Sequence, residues 1–170
     1  MRKHNGMRPQ DIAILLKIIA LSQSDWHLVP LSASMRISIG EISESLNRSR
    51  TARLIDHRKK KVNKENLMEF LEHGFQYVFP IEPGAYVRGF PTAHAHPDVK
   101  KKFNSDMDYV WPDASGTVMG LMIEPLYPRQ TEAAKDDAIF YKLLAFTDML
   151  RVGKAREVKF ALAELKKEIF

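Results

Sequence analysis

A polar helix face in the first third of the chain carries side chains suited to reading nucleic acid. In residues 38–51, Ile42, Leu46 and Ser49 recur at spacings of four and three, which predicts a helix with a narrow buried stripe. Amide, hydroxyl and guanidinium groups on the opposite side of such a helix can hydrogen-bond to base edges in a DNA major groove. That side comprises Ser43, Glu44, Asn47, Arg48, Arg50 and Thr51.

A run of cations follows this helix. Residues 54–56 and 61–63 are predicted to form two short strands around residues 57–60, which makes a small hairpin with a basic, phosphate-binding tip. The alternative is a solvated loop, the usual place for a run of like charges. The predicted base contacts are Ser43, Asn47, Arg48 and Thr51, and the predicted phosphate contacts are Arg50, Arg58, Lys59, Lys60 and Lys61.

The charge distribution favours the contact surface over the solvated loop. Residues 36–61 contain eight Lys and Arg against three acidic residues, an excess of +5 that equals the net charge of the whole chain. The remainder of the chain is therefore neutral. A basic excess confined to one segment is typical of a surface that binds a polyanion.

The neighbouring segments predict the elements that position this surface. Residues 30–35 can form a short helix, and Arg36-Ile37 can turn into a helix that begins with a capping box between Ser38 and Glu41. Residues 8–21 have the apolar period of a buried supporting helix, and Asn63 can cap a further helix. Together these elements predict an N-terminal winged helix-turn-helix domain over residues 7–79.

The second part of the chain, residues 80–170, has a different pattern. Pro and Gly interrupt residues 80–127 every few positions, so long helices are not expected there. The best strand candidate is 117–123, with 81–82 and 85–87 as weaker ones. Residues 136–151 and 154–170 have helical periodicity and are predicted to form a helical hairpin. The predicted fold class is therefore mainly α (α+β).

The last helix has an apolar seam that predicts self-association. Its members recur at alternating spacings of three and four, as in a short heptad pattern. One winged helix covers only half of a two-fold operator, so we expect a homodimer. The alternative is that the preceding helix covers the whole seam. The seam comprises Ala155, Val158, Leu162, Leu165 and Ile169.

Two small constellations lie in the central segment. His94 and His96 have a spacing that places two imidazoles on one face of a strand, which is a possible metal site and would suit a metal-dependent enzyme. Asp98 could add a carboxylate, but no further cluster of ligands lies at a motif spacing, so we expect no metal. Arg88, Thr92 and His94 can line an effector pocket, but a packed connector fixed by Gly89 and Pro91 is the favoured interpretation.

Composition excludes several other classes. The 170 residues are 45% hydrophobic and 28% charged, an ordinary globular composition. There is no cysteine, which excludes disulfides and thiolate metal sites. The apolar run at residues 12–21 contains Lys17 and is too short to cross a bilayer, so a cytoplasmic location is expected. No G-x-S-x-G or Walker motif is present, so we expect neither an enzyme nor a cofactor.

Four blocks of the sequence resemble bacterial MarR-type, or winged helix-turn-helix, transcriptional regulators. They are residues 7–11 (MRPQD), 37–42 (ISIGEI), 87–95 (VRGFPTAHA) and 123–128 (IEPLYP). The resemblance implies double-stranded DNA as the partner and a regulator, with repression the expected action. Neighbours of such proteins include nucleotidyltransferase-type toxins, which implies an antitoxin-like module as the alternative. One departure is Arg36, since family members more often have glycine in the turn.

Overall fold

The chain folds as a mixed α+β protein, as predicted. The computed structural model describes residues 6–22 and 25–170. Its helices are α1 (Pro9–Ala20), α2 (Leu28–Met35), α3 (Ile39–Thr51), α4 (Lys64–His73), α5 (Phe75–Val78), α6 (Pro97–Lys100), α7 (Gln130–Lys135), α8 (Ala138–Val152) and α9 (Ala155–Ile169). Its strands are β1 (Tyr86–Thr92), β2 (Tyr109–Pro112) and β3 (Val118–Met122).

The first helix is buried on more than one side, as its wide apolar stripe predicts. Every residue from Asp11 to Ile19 is buried, and α1 packs against both α3 and α8. The helix begins at Pro9, where the missing amide hydrogen costs nothing. Asp11 accepts a hydrogen bond from the Arg8 amide at 2.8 Å, which satisfies one of the free donors of the first turn.

The turn between α2 and α3 is built on Arg36 in a left-handed conformation, with φ of 55°. The Ile37 amide donates to the Ser32 carbonyl at 3.2 Å, as in a Schellman cap. A left-handed arginine is costly, which is why glycine is usual at such a position. Two ion pairs with α7 and the residue after it offset part of that cost, since the Arg36 guanidinium lies 3.2 Å from Glu132 and 3.0 Å from Asp136.

The predicted capping box at the start of α3 is only half formed. The Ser38 hydroxyl accepts from the Glu41 amide at 3.2 Å, so the N-cap is confirmed. The second predicted bond, from the Ser38 amide to the Glu41 carboxylate, does not form. The Glu41 carboxylate accepts from the Gln10 side chain at 2.9 Å instead. Glu41 therefore helps to hold α3 against the start of α1.

The three strands form a small closed sheet. The first half of β1 pairs antiparallel with β3, its second half pairs antiparallel with β2, and β2 and β3 pair in parallel. The crossing needs Gly89, where an added Cβ would lie 2.2 Å from the Trp111 carbonyl oxygen. The strand predicted at 117–123 is confirmed as β3, and 85–87 overlaps β1. The strand predicted at 81–82 does not form, and β2 was not predicted.

The two last helices form the predicted hairpin, but the seam of α9 is used inside the chain. Leu165 and Ile169 are fully buried, and Val158 and Leu162 pack partly buried against the same core. The α9 helix packs mainly against α8 and also against α4. The alternative to self-association is therefore favoured for Leu165 and Ile169, which the chain itself covers, whereas Ala155 at the start of the seam is exposed.

A single core joins the two regions predicted at 7–79 and 80–170. The apolar cluster runs from α1 through α4 and α5 to α8 and α9. Lys17 of α1 also donates to Asp137, the N-cap of α8, at 2.7 Å. Within residues 6–22 and 25–170, no helix has the length and apolar character needed to cross a membrane.

Candidate nucleic-acid interface

The helix α3 turns one side into the core and the opposite side to solvent, with the inward stripe that its sequence predicts. Ile42 and Leu46 are buried in the hydrophobic cluster, and Ser45 and Ser49 lie on the same side. The opposite side is open, since a Cβ added at Gly40 would meet no atom within 4 Å. The residues on the outward and flanking positions are Gly40, Ser43, Glu44, Asn47, Arg50 and Thr51.

Asn47 and Thr51 lie together at the centre of this side. The Asn47 side-chain oxygen accepts a hydrogen bond from Lys59 Nζ at 2.9 Å, which links α3 to the basic hairpin of residues 54–62. Thr51 donates its hydroxyl to the Asn47 carbonyl at 3.1 Å, a bond that leaves the hydroxyl lone pairs free. Both side chains can therefore still meet a ligand on the outward face.

Arg48 must be removed from the predicted base contacts. Its guanidinium donates two hydrogen bonds to Asp11 of α1, from Nε at 2.9 Å and from Nη2 at 2.7 Å. The Asp11 side chain is completely buried and the Arg48 side chain is 11% exposed. The direct bond with Asp11 raises the pKa of Arg48. Arg48 is thus a structural residue that fixes α3 on α1.

The basic hairpin has a defined turn, unlike a solvated loop. Ile55 and Val62 form an antiparallel bridge, and Asp56 accepts from the backbone amides of Lys60 at 2.7 Å and Lys61 at 3.0 Å. Although partial burial acts in the opposite direction, these amide bonds lower the pKa of Asp56. Lys59 has φ of 58° within the turn. A turn closed by one bridge is therefore present at the predicted place, without the two short strands that the sequence predicts.

Lys60 holds the hairpin to the segment before α2. Its Nζ donates to the Trp26 carbonyl at 2.8 Å and lies 4.7 Å from the centre of the Trp26 ring. In return, the Trp26 indole donates to the Lys60 carbonyl at 2.9 Å. Lys60 is committed to this contact and Lys59 to Asn47, so neither is a free cation of the kind that the sequence predicts.

The free cations converge in the angle between α3 and the hairpin. Arg50, Arg53 and Lys61 line a groove of about 520 Å³, together with His57. The acidic residues Asp56 and Glu65 also line it. In the part of the chain that the structure describes, the side chains of Arg50, Arg53, Arg58 and Lys61 form no hydrogen bond or ion pair. We call Arg50, Arg53, His57 and Lys61 the basic groove.

Arg53 is a candidate contact that the sequence reasoning missed. It follows the end of α3 and has φ of 61°, so the helical period does not give its direction. Its carbonyl accepts from the Asn66 side chain at 2.8 Å, and Arg53 lines the basic groove as well as a neighbouring pocket beside Phe70. The local excess of positive charge was the signal available, since Arg53 contributes to it.

The predicted effector residues do not meet in one pocket. Thr92 is buried and donates to Asp148 of α8 at 2.8 Å, while buried His94 lies 2.8 Å from Glu157 of α9. Arg88 is exposed on β1 and donates to the Gly116 carbonyl at 3.2 Å. Each side chain has a different protein partner, which favours the packed connector over the effector pocket.

His94 and His96 also face different neighbours. His94 packs against Tyr109, whereas His96 packs against Tyr141 and Phe146 and accepts a bond from the Asp98 amide. Burial lowers the pKa of His96 to about 4, which keeps the ring neutral at pH 7. No group of three potential His, Asp or Glu ligands occurs among residues 6–22 and 25–170. The two histidines therefore do not form the metal site that their spacing suggests.

No protein-family model, curated protein or solved structure matches the chain.

Proposed function

We propose that this chain is a sequence-specific DNA-binding transcriptional regulator of the winged helix-turn-helix type, with α3 as the recognition helix. The observation that carries the proposal is the joint exposure of a polar helix face and three unpaired cations beside it. Base edges would meet Ser43, Asn47 and Thr51, and phosphates would meet the basic groove and Arg58. Repression is the expected action.

Three features support this assignment. The α2 and α3 helices are joined by a short turn, and α3 packs against both α1 and α2. The basic hairpin is bonded to α3 through Lys59 and Asn47, which places its cations beside the helix face. The Arg48–Asp11 pair fixes α3 on α1. A rigid helix with adjoining cations suits a major groove flanked by phosphates.

Salt dependence tests the basic groove. Replacing Arg50, Arg53 and Lys61 together by alanine should flatten the slope of log K against log salt by about 0.9 for each lost phosphate contact. The measurement is a gel-shift titration on duplex DNA, including the chain's own upstream sequence, at several salt concentrations.

The matched control removes three cations elsewhere. Lys159, Lys166 and Lys167 lie on α9, and their replacement by alanine makes the same change in net charge. We expect this variant to keep the wild-type slope. Equal slopes for both triple variants would show that net charge, not the basic groove, drives binding.

We also propose that the chain binds DNA as a two-fold dimer, because one recognition helix covers only a half-site. Leu165 and Ile169 of the seam are buried within the chain, so the interface would use other surface. We expect sedimentation at micromolar concentration to show two copies per operator, and the operator to be palindromic. A one-to-one complex on a non-palindromic site would contradict the dimer.

A second candidate function is docking to another protein, as in an antitoxin-like module. The supporting observation is exposed apolar surface on the same unit, with Val29 of α2 65% exposed and Ile39 of α3 44% exposed. Substitution distinguishes the two functions. Val29→Ser should weaken binding to a toxin-like partner and leave the salt dependence of DNA binding unchanged. The triple basic-groove variant should flatten the salt dependence of DNA binding and leave binding to the partner unchanged.

A further inference from the structure

A carboxylate occupies the outward face of α3, where a DNA-binding helix would usually have neutral or cationic side chains. Glu44 is exposed and lies on the opposite side of the helix from buried Ile42 and Leu46. It makes no hydrogen bond or ion pair with any residue within 6–22 and 25–170. Its one described interaction is a through-space attraction to the Arg48 guanidinium, which is hydrogen-bonded to Asp11. The carboxylate oxygens are therefore free to accept hydrogen bonds from a ligand.

The neighbours of Glu44 limit what it can meet. Gly40 is one turn before it and has open space above its backbone, so a partner can approach closely. Asn47 lies on the adjacent turn, and Lys59 occupies its side-chain oxygen. The Asn47 amide thus presents two N–H donors, whereas Glu44 presents only acceptors. The face offers acceptors and donors side by side.

An ionised carboxylate can only accept hydrogen bonds, so it pairs only with a base edge that presents a donor. In the major groove, exposed donors occur only on cytosine N4 and adenine N6. Beside adenine N6 lies the N7 lone pair, which repels a carboxylate, whereas beside cytosine N4 lies a C–H group. Guanine and thymine present acceptors at the corresponding positions. Cytosine is therefore the base whose edge fits Glu44 best.

We propose that Glu44 is a specificity-determining residue that reads one cytosine in the bound duplex. The proposal rests on the DNA-binding function proposed above and names one base of its target. A carboxylate among phosphates is repelled unless the cytosine amino group satisfies it. Glu44 thus acts mainly by penalising every other base at that position, which is specificity obtained through repulsion.

The test is selection of bound duplexes from a random library by the full chain. Wild type, Glu44→Gln and Glu44→Ala are compared with Glu69→Gln, a control with the same charge change at an exposed, unpaired position on α4. We expect wild type to require cytosine at one base pair, with about 5- to 150-fold weaker binding when thymine replaces it. Glu44→Gln should shift that preference to adenine, because glutamine can bond to both N6 and N7.

The outcomes separate this proposal from the one on which it rests. The assignment is supported if Glu44→Ala loses the base preference at one base pair and keeps it at all others. The Glu69→Gln control should keep every preference of the wild type. The same ranking of bases in wild type and Glu44→Gln would overturn it while DNA binding stands. So would equally tighter binding of Glu44→Gln to all duplexes, since Glu44 would then only repel phosphates. Failure of wild type to enrich any duplex would overturn the DNA-binding function itself.

Discussion

Replacing Asp11 by alanine should lower the free energy of unfolding by about 3–5 kcal/mol, because it strands a buried guanidinium. Asp11 is completely buried and accepts both hydrogen bonds of Arg48 as well as the Arg8 amide. Removing it leaves the mostly buried Arg48 without its hydrogen-bonded counter-charge, with only the more distant Glu41 and Glu44 carboxylates remaining, and the first turn of α1 without its cap. Urea unfolding, followed by circular dichroism, measures the loss.

A double-mutant cycle gives the contribution of the pair itself. Arg48→Met alone should also be destabilising, since it leaves Asp11 charged in an apolar site. The double variant Asp11→Ala, Arg48→Met should recover part of the loss, because no buried charge remains. Glu41→Gln is the matched control, since its carboxylate is half exposed and should contribute at most about 1 kcal/mol. A loss in Asp11→Ala no larger than in this control would contradict the buried pair.

The same pair changes what Arg48 variants are expected to do to DNA binding. If Arg48 contacted bases, its replacement would weaken binding to the preferred site and change the affinity for random duplexes little. Arg48 instead holds α3 against α1. Arg48→Ala should therefore weaken binding to all duplexes by a similar factor, and this loss of affinity should grow with temperature. The helical period alone suggested the first behaviour, because it places Arg48 next to Asn47 at the edge of the polar face.

The spacing of residues along the chain predicted the helices better than it predicted which elements pack or pair with one another. Spacing alone was enough to predict four helices and one cap, because each signal lies within a short stretch of sequence. These are α1, α3, α8, α9 and the Ser38 N-cap. The strand β2 was missed because its four residues carry no period, and it forms only by pairing with β1 and β3.

The candidate site shows the same limit. Exposure of the α3 face follows from its buried stripe, and the basic hairpin follows from the charges between two apolar segments. The roles of Arg48, Lys59 and Lys60 did not follow, because each is bonded to a residue on another element. A cation count gives the charge of a surface, but tertiary contacts decide which cations stay free.

Replacing Asp148 by alanine is the second change expected to cost about 3–5 kcal/mol of folding free energy. This carboxylate of α8 is 1% exposed and joins the sheet to the helices. One oxygen accepts from Thr92 of β1 and from the Trp111 indole of β2, both at 2.8 Å, and the other accepts from Arg151 at 2.5 Å. Without it, a buried guanidinium and two buried donors lose their acceptor.

The single bonds to this carboxylate should each matter less. Thr92→Val removes one neutral donor at nearly constant volume, so a loss of about 1 kcal/mol is expected. The chain has two tryptophans, and in a Trp26→Phe background Trp111 fluorescence reports the sheet directly. Unfolding of Asp148→Ala is measured in this background by both fluorescence and circular dichroism.

The comparison that decides the prediction is the paired replacement of Asp148 and Arg151. Asp148→Leu with Arg151→Met removes both charges and keeps the apolar contact with Phe75, over which the guanidinium lies at 5.2 Å. This variant should be more stable than Asp148→Ala, because no unpaired charge is left in the core. If it is equally unstable, the cost arises from the Thr92 and Trp111 donors left without an acceptor or from lost packing, and the ion pair is not its cause. Because α8 packs on α1, which supports α3, Asp148→Ala should also weaken DNA binding near its melting temperature and leave base preference unchanged.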